Sequence, residues 1–89
     1  MEQILAAAGW PPGLWAEAEV VAACESHQHP DSANSAADSY GLFQLSPLWF
    51  SWAGVPFEQW SDPVMNAAVA WKVYHDYDGD SWRQWTCQP

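Results

Sequence analysis

Basic side chains are nearly absent from this chain of 89 residues. Lys72 and Arg83 are opposed by eleven acidic residues, which gives a formal net charge of -9 at pH 7. Nucleic-acid binding depends on Lys and Arg that neutralise phosphates, and two such residues cannot form a basic patch. The charge balance therefore excludes nucleic acid as a main partner and disfavours anionic membrane surfaces.

Long apolar segments are also absent. No run reaches the length of about 18 apolar residues that marks a membrane-spanning helix, so we expect no membrane insertion. The N-terminal Met1-Glu2-Gln3 lacks the basic segment of a signal peptide. Export is therefore not encoded in these residues.

Charged residues are few, at 15% of the chain, whereas hydrophobic residues reach 49%. This composition excludes a disordered acidic tail and a coiled coil. The length suffices for one hydrophobic core, which predicts a single domain over residues 1–89. Eight tryptophans exceed what so small a core needs, since each can bury roughly 150–250 Å². Part of the tryptophan surface is therefore expected to serve binding.

Cysteine is scarce, with Cys24 and Cys87 as the only two. The pair can be two small buried side chains or a disulfide, and the spacing alone leaves both readings open. A disulfide that closes a loop of about 60 residues would stabilise the fold by about 4 kcal/mol. The cysteines lack the CxxC spacing of zinc sites, and His27 and His29 lie in a proline-containing loop. We therefore expect no metal.

The acidic run from Asp76 to Asp80 invites comparison with a calcium-binding loop. An EF-hand loop has its glycine at the sixth position and a glutamate at the twelfth, whereas Gly79 is fourth and Cys87 is twelfth here. A solvated turn is the better interpretation, and no cofactor is expected.

Three helices are indicated by local signals. A short first helix over 2–8 ends at a Gly and Pro cluster. The central helix covers 14–25, because its apolar residues recur at the spacing of one helical face. Asp62-Pro63 has the form of an N-cap followed by proline and opens a helix that runs to about residue 75. We expect this helix to pack on the central helix.

The remaining segments carry weaker signals. Residues 26–39 are rich in turn formers and predict a surface loop. Residues 40–45 fit a short strand or the entry to a helix, and Ser81 can cap a final helical turn. The predicted fold class is therefore mainly α, with at most a vestigial β-hairpin.

Glu25 is the carboxylate that most invites a chemical role. It continues the apolar stripe of the central helix and lies at its C-terminal end. Desolvation and the negative helix end both favour the neutral acid, which can then donate a proton. The alternative is a glutamate at the rim with its carboxylate in water.

Four short segments occur in an order that resembles a known superfamily. The order covers roughly residues 14–87, and the segments are Val21–Ser26, Tyr40–Leu45, Asp62–Asn66 and Trp82–Cys87. Together they resemble the lysozyme-like soluble lytic transglycosylases, and most of all the compact type found in resuscitation-promoting factors and actinobacterial phage lysins. The resemblance implies a small lysozyme-like fold whose central helix ends in the catalytic glutamate.

The resemblance also implies roles for individual residues. Glu25 would protonate the glycosidic oxygen between N-acetylmuramic acid and N-acetylglucosamine. The Gly-Leu-x-Gln stretch would line the sugar cleft, which places Tyr40, Gly41 and Gln44 at the substrate. Asn66 would be a structural or cleft residue.

Two further implications concern the cysteines and the tryptophans. In the resuscitation-promoting type, a cysteine before the catalytic glutamate pairs with one after the terminal Trp-x-x-Trp, which matches Cys24 and Cys87. Exposed indoles such as Trp49 and Trp52 would line sugar subsites.

One departure from the lysozymes bears on the mechanism. Lysozymes that use a second acid have an aspartate immediately before a similar Tyr-Gly. This chain has Ser39 at that position, where we expect it to contact the substrate, and Asp38 lies one residue earlier. A shift of one residue in an extended segment turns a side chain to the opposite face. With Glu25 alone, the expected reaction is that of a lytic transglycosylase, in which the substrate's N-acetyl group assists and a 1,6-anhydro product forms.

Three functions from different classes follow. The first is a peptidoglycan-cleaving muramidase that acts outside the cell on glycan strands, delivered within a larger lysin or by a virion protein. The second is a non-catalytic glycan-binding or virion structural module with a lysozyme-like cleft. The third is a Trp-rich helical domain that acts through protein contacts.

Overall fold

The computed structural model describes all 89 residues and contains four α-helices. They are α1 (Glu2–Ala8), α2 (Trp15–Ser26), α3 (Pro47–Ala53) and α4 (Pro63–Lys72). Two strands of two residues each, β1 (Ala33–Asn34) and β2 (Ser39–Tyr40), pair antiparallel. The prediction of a mainly α fold with a vestigial hairpin is confirmed. None of the helices combines the length and apolar character needed to cross a membrane.

The two C-terminal helices begin at short polar side chains followed by proline. Ser46 precedes α3, and its Oγ accepts the Leu48 N–H at 3.3 Å. Asp62 precedes α4, and its Oδ1 accepts the N–H groups of Val64 and Met65 at 2.9 and 3.1 Å. These bonds satisfy amides that have no partner within a helix, so both starts are fixed by local chemistry.

Several predicted boundaries differ from the structure. The central helix begins at Trp15 and is preceded by a 3-10 turn at Pro12–Leu14. The predicted 62–75 helix ends at Lys72, and its last turn widens into a π-helical turn at Val73–Tyr77. Ser81 precedes a simple turn rather than a helical one, in which the Trp85 N–H donates to the Trp82 carbonyl at 3.0 Å.

Only the first residue of the segment 40–45 belongs to a strand, because Tyr40 ends β2 and the chain then turns before α3 begins at Pro47. Tyr40 and Leu45 exchange two backbone hydrogen bonds of 2.9 and 3.0 Å, which close a tight loop between them. Gly41 at φ 83° and Gln44 at φ 51° turn the chain inside this loop. Two positive φ values explain why no regular element continues past Tyr40, because both α-helix and strand require negative φ.

The expected packing of α4 on the central helix is wrong, because α4 packs chiefly against α1. Leu5 and Ala8 of α1 are buried there, so the first helix contributes to the core. Indoles connect α4 to α2 instead. The Trp10 Nε1–H donates to the Ala67 carbonyl on α4 at 2.9 Å, and Trp10 stacks on Trp82 at 5.3 Å between ring centroids. Trp82 in turn donates to a carboxylate on α2, which completes the connection.

Candidate active site

A surface depression of about 90 Å³ lies beside the end of α2. Side chains from α2, β2, the 40–45 loop, α3 and the C-terminal segment surround it, namely Glu25, Ser39, Gln44, Leu45, Trp49, Gln84, Trp85 and Thr86. Pockets for small ligands usually begin at roughly 300 Å³. This depression is therefore smaller than a typical small-ligand pocket, and a larger ligand would also contact the surface around it.

Glu25 is half-buried in the last turn of α2 and is held by the C-terminal segment. Its Oε2 accepts the backbone N–H of Cys87 at 2.9 Å. Cys87 is joined by a disulfide to Cys24, with a Cα–Cα distance of 6.0 Å. The disulfide thus ties the donor of this hydrogen bond to the residue that precedes the glutamate, while the second oxygen, Oε1, remains free for a ligand.

The 40–45 loop is anchored to α2 and to the C-terminal segment. The buried hydroxyl of Ser26, the last residue of α2, donates to the Leu42 carbonyl at 2.7 Å. The Trp85 indole donates to the Phe43 carbonyl at 3.1 Å. Both bonds end on adjacent carbonyls, so the loop is fixed relative to Glu25 from two sides.

Asn66 of α4 holds the same loop from behind. Its side chain is fully buried, Oδ1 accepts the Phe43 N–H at 2.8 Å, and Nδ2 donates to the carbonyls of Tyr40 and Trp60 at 3.0 and 3.1 Å. A buried amide with three hydrogen bonds replaces the backbone pairing that the loop lacks. Asn66 is therefore a structural residue of the site.

Gly41 lies directly against this amide, and we expect Gly41→Ala to lower the free energy of unfolding by about 3 kcal/mol or more. A Cβ at this position would overlap Asn66 Nδ2 and the Trp60 carbonyl oxygen, and the φ of 83° is strained for alanine. Urea unfolding followed by tryptophan fluorescence measures the change. Gly13→Ala is the matched control, because nothing lies within 4 Å of its added Cβ. Equal stability of the two variants would contradict this account of the loop.

The structure brings together four residues that the sequence placed at the substrate. Glu25, Ser39, Gln44 and Trp49 line one depression. Gln44 donates both amide hydrogens inward, to the Ser32 and Gly41 carbonyls at 3.0 and 2.9 Å. Its amide oxygen makes no such bond and can accept one from a ligand.

Other residues assigned to the substrate lie elsewhere. Gly41 is buried, and Asn66 is behind the loop. The Tyr40 ring packs edge-on against Phe57 and Trp60, with centroids 5.1 and 5.6 Å away. None of the three lines the depression. They shape the loop that carries Gln44.

Sequence reasoning missed the contribution of Gln84, Trp85 and Thr86 to the depression. A disulfide between Cys24 and Cys87 brings the residues just before Cys87 close to Glu25, so the implied pairing was the signal that could have identified them. Gln84 is further fixed by Asp78, whose Oδ1 accepts hydrogen bonds from Gln84 Nε2 and Arg83 Nε, both at 3.1 Å.

The depression contains one acidic side chain, that of Glu25. Asp38 is exposed, has a φ of 54° in the turn before β2, and does not line the depression, whereas its neighbour Ser39 does. No group of three or more His, Cys, Asp or Glu side chains lies close enough together to hold a metal ion. The chemistry available at this site is that of a single carboxyl group beside amide, hydroxyl and indole groups.

Two titratable groups with shifted pKa values lie outside the depression. Burial raises the pKa of Tyr74, with the carboxylates of Glu17 and Asp80 adding to the effect. A hydrogen bond with Asp80, 2.6 Å from Nδ1, raises the pKa of the exposed His75. Neither residue lines the depression and Glu25 contributes to neither shift, so these shifts belong to the π-helical turn and its surroundings.

Comparison with known proteins gives one family match. A family model described as a lysozyme-like domain matches residues 2–87. No curated protein and no solved structure matches the chain. The matched range includes every residue that lines the depression.

Proposed function

The chain belongs to the lysozyme-like domain family, a membership that supports a peptidoglycan-related glycosidase, and from that premise we propose that it is a lytic transglycosylase. The reaction cleaves the β-1,4 bond between N-acetylmuramic acid and N-acetylglucosamine, with Glu25 as both acid and base. Residues 2–87 of the chain match the family model. The proposal concerns the type of cleavage and the residue that performs it.

The observation that carries the proposal is the single carboxylate in the depression. Retaining glycosidases need a second carboxylate about 5–5.5 Å from the acid, and inverting enzymes need one about 6.5–9.5 Å away. Glu25 is the one acidic residue that lines the depression, and Asp38, the aspartate closest to the position of the second acid in lysozymes, is exposed and does not line it. A reaction that uses one carboxylate twice fits this arrangement.

The proposed reaction balances without water. Glu25 donates its proton to the glycosidic oxygen as the bond from C1 to that oxygen breaks. The carbonyl oxygen of the substrate's own N-acetyl group stabilises the positive charge at C1. The Glu25 carboxylate then takes the proton from the C6 hydroxyl while O6 bonds to C1, so the enzyme recovers the proton that it gave.

The single side-chain hydrogen bond of Glu25 suits both roles. Cys87 donates to Oε2 at 2.9 Å, which fixes the carboxyl group and leaves Oε1 to carry the proton. An acid must lie within hydrogen-bond distance of the oxygen that it protonates, so orientation matters as much as acidity. The amide oxygen of Gln44 is available on the neighbouring wall to accept a hydrogen bond from the sugar.

The mass of the products tests the proposal. We expect digestion of purified peptidoglycan to release muropeptides that end in 1,6-anhydro-N-acetylmuramic acid, each lighter by one water than the hydrolysis product. Mass spectrometry distinguishes the two. A digest that contains only hydrated reducing ends would contradict the proposal and indicate a hydrolase.

The charge of the protein bears on delivery. Many cell walls carry anionic polymers, which repel a protein of net charge -9. The disulfide is typical of proteins that act in oxidising compartments. We therefore propose action outside the cytoplasm, with delivery by a larger lysin or a virion rather than by electrostatic attraction to the wall.

A further inference from the structure

Arg83 is an exposed basic residue beside the depression that contains Glu25, and we propose that it binds a carboxylate on the lactyl arm of N-acetylmuramic acid. That carboxylate belongs either to the lactyl group itself or to a peptide attached to it. N-acetylglucosamine has no such arm, so Arg83 would make the site selective for the muramic acid unit. The choice of ligand rests on the proposed function, whereas the binding itself requires no turnover.

Two buried tryptophans fix the turn that presents Arg83. The Trp85 N–H donates to the Trp82 carbonyl at 3.0 Å, and both indole side chains are buried. The backbone N–H of Arg83 donates to Ser81 Oγ at 3.2 Å. Arg83 and Gln84 lie between the tryptophans and are exposed, and Gln84 lines the depression. A short turn anchored in the core at both ends therefore holds Arg83 beside a lining residue.

The Arg83 guanidinium is held next to the side-chain amide of Gln84. Arg83 Nε and Gln84 Nε2 both donate to Asp78 Oδ1 at 3.1 Å. Since the two donors share one acceptor oxygen, the guanidinium and the amide adjoin each other. The Asp78 side chain is fully buried, whereas 67% of the Arg83 side chain is exposed. A buried carboxylate thus anchors an exposed guanidinium at the rim of the depression.

The contact with Asp78 leaves most donors of Arg83 unused. A guanidinium has five N–H groups, and two of them can bind one carboxylate side by side. Within the side chain of Arg83, only the Nε–H is bonded in this chain, and Asp78 Oδ2 is buried without a partner. A pair that served only to neutralise Asp78 would place a second donor on Oδ2. The Nη–H groups are therefore available to a ligand, and their planar arrangement suits a carboxylate.

The charge of the protein makes this contact selective. A net charge of -9 repels an anionic ligand as a whole. The other basic residue is Lys72, whose ammonium lies 5.9 Å from the ring centroid of Trp52, and neither of these residues lines the depression. A carboxylate that enters beside Glu25 needs a nearby cation to offset the repulsion. Arg83 is the basic residue that adjoins the lining side chains.

Binding of matched oligosaccharides to the Glu25→Gln protein tests the site, with tryptophan fluorescence as the readout. The ligand is a tetrasaccharide of alternating N-acetylglucosamine and N-acetylmuramic acid in three forms. The lactyl arms carry free carboxylates, neutral N-methylamides, or a dipeptide with a free carboxylate. We expect at least one carboxylate form to bind roughly two- to fivefold more tightly than the methylamide form, the effect of one exposed ion pair. The form that does so identifies the source of the carboxylate.

Three variants in the Glu25→Gln background connect this preference to Arg83. Arg83→Gln should abolish the preference and leave the affinity for the methylamide form unchanged. Arg83→Lys keeps the charge but not the planar fork, so it should retain part of the preference. Lys72→Gln is the matched control, because it removes the same charge away from the depression, and it should keep the full preference.

Four outcomes would overturn the site. These are no binding of any form, equal affinity for all three forms, equal loss of the preference in Lys72→Gln and Arg83→Gln, and equal weakening of all three ligands by Arg83→Gln. The last would mean that Arg83 only supports the fold through Asp78. Failure of the proposed function is recognised separately, since a digest of peptidoglycan with only hydrated reducing ends would contradict the transglycosylase while a preference that depends on Arg83 persisted.

Discussion

Replacing Glu25 by Gln is expected to lower the rate of peptidoglycan cleavage by about 10²- to 10⁴-fold, the usual contribution of a positioned acid or base. Glutamine keeps the size of the side chain, and its amide oxygen can still accept the Cys87 N–H. It has no proton to donate to a glycosidic oxygen and cannot take one from a C6 hydroxyl. Both proposed steps are therefore lost without a change of shape.

The measurement is the release of soluble muropeptides from purified peptidoglycan. Glu19→Gln is the matched control, because it makes the same change of charge on the same helix but outside the depression. We expect it to retain full activity, and both variants should unfold at the same temperature as the parent. Activity of the Glu25→Gln protein within tenfold of the control would reject Glu25 as the acid.

Local signals in the sequence predicted the helices better than their contacts. Glu2–Ala8 was predicted with its observed ends, and the Asp62-Pro63 signal marked the start of α4. The same kind of signal, Ser46-Pro47, precedes α3 and was not interpreted as a helix start. Capping depends on a few adjacent residues, so it can be identified without knowledge of the tertiary structure.

Such local signals could not predict how distant segments pack against one another. Helices α2 and α4 were expected to pack on each other, yet two stacked indoles link them instead. Trp10 donates a hydrogen bond to α4, and Trp82 donates one to α2. Periodicity shows which face of a helix is apolar but does not say what covers it. In a chain rich in tryptophan, a loop indole can occupy the place of a helix.

The prediction of the candidate site was incomplete for a similar reason. The resemblance placed the Gly-Leu-x-Gln stretch at the sugar cleft, but only Gln44 of that stretch lines the depression beside Glu25. The backbone of Gly41 faces Asn66 instead, because the two positive φ values turn the loop over. Side-chain direction in an irregular loop depends on such dihedral angles, which residue spacing does not reveal.

The second large effect concerns the disulfide. Replacing both Cys24 and Cys87 by Ser is expected to lower the free energy of unfolding by about 4 kcal/mol, because the cross-link restricts a long loop of the unfolded chain. The two cysteines are 63 residues apart. Domains of this size have a total stability of only about 5–15 kcal/mol, so the loss is a large share. Urea unfolding measures it, and a reducing agent should destabilise the parent but not the double variant.

The same substitution should lower activity even at temperatures where the protein stays folded. Cys87 carries the N–H that holds Glu25 Oε2, and the disulfide keeps that N–H within 2.9 Å. Without the cross-link the C-terminal segment can leave, taking Gln84, Trp85 and Thr86 out of the depression. Measuring muropeptide release well below the unfolding temperature separates this loss from global unfolding. Full activity of the folded double variant would mean that the remaining contacts, including the bond from Trp85 to Phe43, position the segment unaided.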